Sequence, residues 1–518
     1  MIYSKDEKKI TLLKSTNQAL GIGTFACDFI KKPISFIDQD VLEKTVLFFT
    51  DSVLCGASAL SMQTNAPTIL QNEALMFPDE NGASLIGGKR VNPQKMILAT
   101  CSAVREWDSN GTNFGYNPKL NHTAGEFGHN DFYAVPLAAA QTTFGSGEDA
   151  VKGMVLLDEI RGRLAEVFSL KTYKIDHVVH GAIASAATWG AMRGATPEQI
   201  ESAIGMVVAH TIPWRAIRAG KQLSDSKGSS AAISTELAVL FMERSLSGFL
   251  GPRDIFRNPE AIFRYFEPTN GTSPFDLVLS TGGSDFSVMG MHFKLGLYEH
   301  QSAGALEGII SLLCEHQEIL SENSPIKSID ITAYEPAFGI IGDPAKKDPQ
   351  TRQSADHSMV FIVSRLIRKA QIEYQKNGSG FFDNTDSCWK GLMLTPYDYG
   401  KEALFEKETR SLMEKINFHH GGKEFHEKYP DGIPTSVSIT LENKLTFKSG
   451  LIMYPSGHAR NTSANLIDIL NHKFSLLSNI ACEKNEGLQK NCLNILKMGK
   501  NDLIDIFNCT LKKQTSVD

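Results

Sequence analysis

Gly181-Ala-Ile-Ala-Ser-Ala-Ala-Thr-Trp-Gly190 places small residues on every side of the helix it predicts. Neighbouring backbones can then approach closely, and the helix is expected to be buried all round. Residues at its start, Asp176-His177-Val-Val-His180, would lie deep inside the molecule. Downstream, Thr196-Pro-Glu-Gln199 reads as a capping box with proline at the first helical position, opening a helix through Ile200, Ile204, Val207 and Val208. Apolar residues recur at three- and four-residue spacing in Val41–Leu54, Val151–Phe168 and Leu237–Leu246, so residues 38–250 are mainly helical. Thr269–Gly290 then turns rich in Gly, Ser and Thr, which marks a boundary near residue 283.

Beyond that boundary, Ile329, Ile331 and Ala333 alternate with polar residues, as do Val437, Ile439 and Leu441. Leu445 and Phe447 follow a short turn and complete a hairpin. Helical patterns at Ser302–Glu318, Met359–Tyr374 and Ala403–Ile416 lie among these strands, and the helical period returns at Leu466–Leu477 and Leu488–Ile506. The expected fold is mainly α. A large multihelical domain spans 1–283, a smaller α+β domain spans 284–453, and C-terminal helices over 454–518 pack back on the first domain.

A chain of 518 residues has ample material for a large core, and 42% apolar with 21% charged residues is ordinary for a globular protein. A net charge of −6 without a Lys/Arg-rich run argues against nucleic acid as a partner. No run of 18 apolar residues predicts a membrane span. The first residues, Met1-Ile-Tyr-Ser-Lys-Asp-Glu, resemble neither a secretory signal nor a transit peptide, so a cytoplasmic location is expected. The eight cysteines are scattered without a C-x-x-C pair, the pattern of reduced, mostly buried thiols.

Walker, G-x-G-x-x-G, G-x-S-x-G and H-E-x-x-H motifs are absent. Five polar clusters remain. Asp108 and Thr112, with His129 beyond a polar loop, can bind a ligand or simply cap backbone. His177 and His180, three apart, can share a helical face; buried structural histidines explain them equally, and two ligands are too few for a catalytic zinc. Arg215, Arg218, Lys221 and Lys227 put four cations within 13 residues, a candidate carboxylate-binding loop or a solvated basic surface. Lys294 to Ser302, with Glu299, His300 and Gln301, falls at the predicted junction of domains, where ligand sites often form. Tyr454-Pro-Ser-Gly-His458-Ala-Arg460 is a tight turn that presents His458 and Arg460.

The ordered combination of these clusters, with Tyr334-Glu335 between the last two, resembles the MmgE/PrpD family from about Leu42 to Leu477. The family includes 2-methylcitrate dehydratases, cis-aconitate decarboxylases and iminodisuccinate epimerase. The most specific pieces are Asp176-His177 before the small-residue helix, the spacing from Arg215 to Lys227, and the Tyr454–Arg460 turn. That turn is closer to the dehydratase branch. The resemblance implies a helical domain with a smaller lid, a homodimer, and a site between the domains without metal or other cofactor. It implies a metal-independent lyase that dehydrates 2-methylcitrate, or a similar tricarboxylate, to 2-methylaconitate in propionate catabolism. Decarboxylation of cis-aconitate, epimerisation of a dicarboxylate, or a catalytically silent binding protein are the alternatives. Asp108, Thr112, His129, His177, Lys227, His300 and Tyr334 fall at family site positions. The sequence departs from the family in Asn110-Gly111 and in an insertion over about Asn113–Gly125.

Such a reaction removes a C–H proton beside a carboxylate and expels hydroxide. Arg215, Arg218 and Lys227 are expected to neutralise carboxylates together with Thr112, Gln301, His458 and Arg460. His177 and Lys227 are the expected acid/base pair, with His129, His300 and Tyr334 assisting and Asp108 orienting a histidine or raising its pKa. A protonated second histidine or a lysine would supply the leaving hydroxyl's proton.

Overall fold

A computed structural model describes residues 2–4, 8–218, 222–322, 325–378, 382–483 and 486–518. In the first half, helices α1 (Gln18–Lys31), α2 (Gln39–Ser61), α3 (Asn65–Leu75), α4 (Pro93–Arg105), α5 (Ala134–Thr142) and α6 (Gly147–Val167) lead to the central α7 (Val178–Met192). Then come α8 (Pro197–His210), α9 (Asp225–Leu246) and the short α10 (Ile262–Phe266). Short strands accompany them: β1 (Ile2–Ser4) and β2 (Lys9–Leu12), which join β7 (Leu277–Ser280) in one sheet, and the pairs β3 (Pro78–Ser84) with β4 (Arg90–Val91) and β5 (Thr112–Asn113) with β6 (Gly128–His129).

The small-residue stretch forms α7, buried along nearly its whole length and packed against α1, α5, α6, α8 and α9. Gly181 shows why: a Cβ there would come within 2.0 Å of the Phe132 ring, so only hydrogen lets the segment carrying His129 and Phe132 close on the helix. The capping box is present as read, with Thr196 and Gln199 satisfying each other's backbone N–H at the start of α8.

The second half places α11 (Ala303–Glu315) against a four-stranded sheet of order β11-β10-β8-β9, made of β8 (Ile326–Ala333), β9 (Ile416–His420), β10 (Thr435–Leu441) and β11 (Thr446–Ile452). Around it lie α12 (Arg352–Ala355), α13 (Met359–Asn377), α14 (Thr385–Leu392), α15 (Lys401–Leu404), α16 (Lys407–Glu414) and α17 (Gly422–His426). The fold class is mainly α, as expected.

Two helices expected to be continuous are broken. The Ala403–Ile416 pattern divides at Glu406, whose backbone is extended. Its carboxylate accepts hydrogen bonds from Arg365 at 2.7 Å and Arg368 at 2.9 Å on α13, and from Thr409 at 2.6 Å. Charged partners on another helix thus fix a turn there. Ile416 begins β9 instead of ending a helix, and β9 runs parallel to β8 at the sheet edge. The Leu488–Ile506 pattern becomes α19 (Glu486–Leu493) and α20 (Lys500–Ile504), separated at Asn494–Gly499.

After β11, α18 (Leu466–Ala481) and α19 pack on α2 of the helical half. Lys473 on α18 is fully buried. Its Nζ lies 2.6 Å from Asp51 and donates to the carbonyls of Ser109 and Lys294, each at 2.8 Å. The last long helix therefore clamps two segments that carry site residues. Past residue 283 the chain remains on the helical half for some distance: Ser287–Gly290 packs on α2 and α6, Phe293 stacks on Phe48 at 3.8 Å, and His292 exchanges backbone hydrogen bonds with Thr112. Among the described residues no single helix is long and apolar enough to cross a membrane.

Candidate functional site

The end of α4 sets the centre of the site. Apolar residues bury α4, and its last residue, Arg105, stays inside and reaches forward to Asp108. Asp108 has a left-handed backbone, with φ of 49°, unusual for a residue with a side chain. Its carboxylate is fully buried against three cationic or imidazole groups: Arg105, Lys294 and, 3.0 Å from its Oδ2, the Nε2 of His357. Burial alone would raise this carboxyl, but Arg105, Lys294 and His357 outweigh it and hold it well below the usual carboxylate range.

His357 carries the network onward. Its Nδ1 is 2.6 Å from Asp356 Oδ1, and Lys227 Nζ donates to the same oxygen at 3.0 Å. Lys227, at 1% exposure, also lies 3.2 Å from His357 Nδ1. Lys227 thus stands inside an Asp108–His357–Asp356–Lys227 chain joining the end of α4, the first turn of α9 and the loop between α12 and α13. It is no free cation. Asp108 does meet a histidine, but the partner is His357.

Next to this network, β5 pairs with β6 so that Thr112 lies opposite His129. Thr112 Oγ1 donates to the Gly128 carbonyl at 2.8 Å, holding the turn that presents His129. The His129 ring meets that of His177 edge-on, with centroids 5.1 Å apart. His177, just before α7, has Nδ1 3.5 Å from Asp176 Oδ1. Arg218 in turn grips Asp176 through two nitrogens. Arg218 therefore anchors a carboxylate of the protein and is not free to bind one from a ligand. The contact with Asp176 favours the Nδ1–H tautomer of His177 and leaves Nε2 as a lone-pair acceptor, buried and without a partner among the described residues.

His300 and Gln301 open the turn before α11, and Tyr334 follows β8. Both ring nitrogens of His300, Gln301 Oε1, Tyr334 Oη and His129 Nδ1 are also buried without hydrogen-bond partners among the described residues. Buried polar atoms are nearly always satisfied, so this cluster of orphans points to a ligand or ordered water. Rings connect them: Phe114 contacts His300 at 5.3 Å and Tyr429 at 5.7 Å, and Tyr429 stacks on Tyr334 at 4.6 Å.

Burial pushes His129, His177 and His300 well below the ordinary imidazole value. Asp176 opposes the shift at His177 and Asp108 opposes it at the other two, but Arg105, Lys294 and Arg218 reinforce burial. These rings are neutral near pH 7. They suit proton acceptance more than proton donation.

Arg215 is partly exposed, with no carboxylate within 4.0 Å among the described residues, and Lys346 is in the same state. Burial lowers both, Asp176 opposing it most at Arg215 and Glu299 at Lys346. Among the described residues, these two cations are free to hold an anion. Lys221 lies outside the described residues.

Two sequence candidates lie beside His300, across His292 and Phe114. Arg460 pairs with Asp431 and is 42% exposed, lining a cleft of about 140 Å³ with Asn113, Phe114, Tyr116 and His292. His458 stacks on His292 at 4.1 Å, the His292 ring stacks on His300 at 5.3 Å, and His458 Nε2 is also buried without a hydrogen-bond partner among the described residues. His180 turns away from His177: its Nε2 bonds the Phe168 carbonyl at 3.0 Å. Among the described residues no group of three His, Cys, Asp or Glu is arranged to hold a metal. His180→Leu is expected to cost about 1–3 kcal/mol by stranding that buried carbonyl, with kcat close to wild type; urea denaturation and turnover measure the two effects.

Arg105, Asp356, His357 and Lys346 were not among the expected site residues, whereas Lys294 opened one of the candidate clusters. A local signal existed for Arg105, since an arginine closing an apolar helix three residues before an aspartate can fold back on it. His357 meets Asp108 across 249 residues, and nothing near either position announces that contact.

A family model described as the MmgE/PrpD N-terminal domain matches residues 26–274. The 2-methylcitrate dehydratase of Escherichia coli O157:H7 is 22% identical over 318 residues, 60% of this chain and 60% of that protein. The alkylcitrate dehydratase phiI of a fungal species (strain ATCC 74256) is 23% identical over 356 residues, 67% of this chain and 65% of its own. The mitochondrial 2-methylcitrate dehydratase of Yarrowia lipolytica is 25% identical over 446 residues, 82% of this chain and 77% of the relative. The match to the Escherichia coli proteins thus spans three fifths of their length.

Proposed function

The chain belongs to the MmgE/PrpD family, and on that premise we propose that it is a hydro-lyase removing water from 2-methylcitrate or a closely similar tricarboxylate to give 2-methylaconitate. The observation that supports this most is the set of unpartnered buried polar ends on His129, His177, His300, Gln301 and Tyr334, gathered beside a cation-rich network.

Loss of water from such a substrate needs three things: a grip on carboxylates, a base for the C–H proton, and stabilisation of the negative charge that develops. Arg215 and Lys346 supply the grip. His177 supplies the base, with its lone pair on Nε2 and its orientation set by Asp176 and, behind it, Arg218. The charge on the carboxylate beside the reacting carbon grows as the proton leaves. Arg105 and Lys294, fixed by Asp108, contribute a preorganised positive field that needs no rearrangement at that moment. Asp108 compensates part of this charge, which lets two cations remain buried.

Arg215→Ala removes a charge-assisted contact of about 1.5–3 kcal/mol, so KM for the tricarboxylate is expected to rise on the order of 10–100-fold with a smaller change in kcat. Steady-state kinetics with 2-methylcitrate measures this split. The reading itself is tested by incubating the purified protein separately with 2-methylcitrate and with cis-aconitate and identifying products by NMR. 2-Methylaconitate is the expected product; itaconate from cis-aconitate, with methylcitrate untouched, would replace dehydration by decarboxylation on the same scaffold.

A further inference from the structure

Dehydration also needs an acid, because hydroxide is a poor leaving group, and Arg215 and Lys346 are taken up with the substrate's carboxylates. The site histidines are held neutral. Lys227 is committed to Asp356 and His357, and Lys294 to Asp108. We propose that Glu299 is the catalytic acid, carrying the proton that converts the departing hydroxyl into water. This rests on the dehydratase reading above.

The geometry sets Glu299 apart from the neighbouring carboxylates. Asp108, Asp176, Asp356 and Glu106 each have an Arg or Lys nitrogen within 4.0 Å; Glu299 has none among the described residues. Its Oε2 accepts one hydrogen bond, from the Gln301 backbone N–H at 2.8 Å, and Oε1 accepts none among the described residues. Its backbone N–H donates to the Asp356 carbonyl at 3.0 Å, which ties it to the buried network. The side chain nevertheless keeps some solvent access, unlike His300 and Gln301 beside it. A carboxyl anchored through one oxygen, with the other free at the edge of the orphan cluster, is placed to hold and deliver a proton.

The surrounding charges agree with this. Burial raises the Glu299 carboxyl, the charge of Asp108 raises it further, and Lys294, the Gln301 N–H and Lys346 oppose; the result is about 7. Burial pushes Tyr334 and Tyr429 up, with the Glu299 charge adding to it, and both stay neutral. The acid is therefore protonated in a useful fraction near neutrality, where general acids work best.

In the step, His177 Nε2 takes the C–H proton and its electron pair forms the new C=C bond. The C–O bond breaks with its pair going to oxygen, and the Glu299 O–H proton completes water. Imidazolium and carboxylate remain, and transfer of one proton between them, through solvent, resets the site.

Two variants and one spectrum test this. Glu299→Gln keeps size and polarity but gives up no proton; kcat is expected to fall by about 10²–10⁴-fold with KM little changed. The loss of wild-type kcat as pH rises through about 7 should vanish in the residual activity of E299Q. Glu299→Asp should keep that limb at a lower kcat. Infrared difference spectra of the wild type between pH 6 and 8 should show a protonated carboxyl stretch that disappears on raising pH and is missing in E299Q. The spectrum needs no substrate, so it judges Glu299 even if methylcitrate is not turned over. Near-normal kcat with an intact alkaline limb in E299Q overturns the assignment, as does the absence of any titrating carboxyl band. If E299Q fails to fold, the E299D profile and the wild-type spectrum decide by the same criteria.

Discussion

His177→Gln is expected to lower kcat by about 10²–10⁴-fold while KM and the urea midpoint stay near wild type. The amide can still donate toward Asp176, so the ion pair of Asp176 with Arg218 and the start of α7 have no reason to rearrange. What disappears is the bare Nε2 and its basicity. The pH dependence sharpens the expectation. Because burial pushes His177 well below its ordinary value, the neutral base persists as pH falls past 6.5, and the wild-type acid limb should lie below that of a free imidazole. A variant that keeps turnover, or one whose loss appears only in KM, would remove His177 from the role of base.

Asp108→Ala is expected to be the most damaging change to the fold as well as to the reaction. It leaves Arg105, Lys294 and His357 without the carboxylate that satisfies them, all in a closed interior. Breaking a buried ion pair by removing one partner typically costs about 3–5 kcal/mol, a large share of a usual folding stability of about 5–15 kcal/mol. The pH sign follows from the direction of the shift. Asp108 is held well below the unfolded carboxylate value, so its contribution is present above about pH 4 and is lost as pH falls toward its folded value. Chemical denaturation at pH 7 should show the full difference between wild type and D108A, and the gap should narrow under acid conditions. A difference under about 1 kcal/mol at pH 7 would mean that the network contributes little.

Local patterns were the legible part of the chain. The small residues of α7 and the Thr196–Gln199 box need only neighbours within one or two turns, and both appear as read. The hairpin of β10 and β11 is legible for the same reason. β9 is not, because Ile416-Asn-Phe-His-His has one apolar alternation and lies at a sheet edge, where its histidines meet Asp330 and Glu335 instead of a core. The break at Glu406 depends on arginines of α13 that sequence spacing does not connect to it. In the site, the residue types were visible but their pairing was not. Arg218 and Lys227 look identical to Arg215 as cations in a loop, yet contacts with Asp176 and Asp356 occupy two of the three. His357 acquires meaning only where α12 and the loop after it reach Glu106 beyond α4 and Lys227 on α9.

Citrate has the carboxylates of the proposed substrate without the methyl group, and a crystal structure with citrate bound tests the central claim most directly. The predicted complex has carboxylate oxygens on Arg215 and Lys346, and the C–H carbon facing His177 Nε2 at the edge of the His129–His300–Tyr334 cluster. Citrate seated instead in the Arg460 cleft, with His177 Nε2 and Tyr334 Oη still unpaired, would contradict the account.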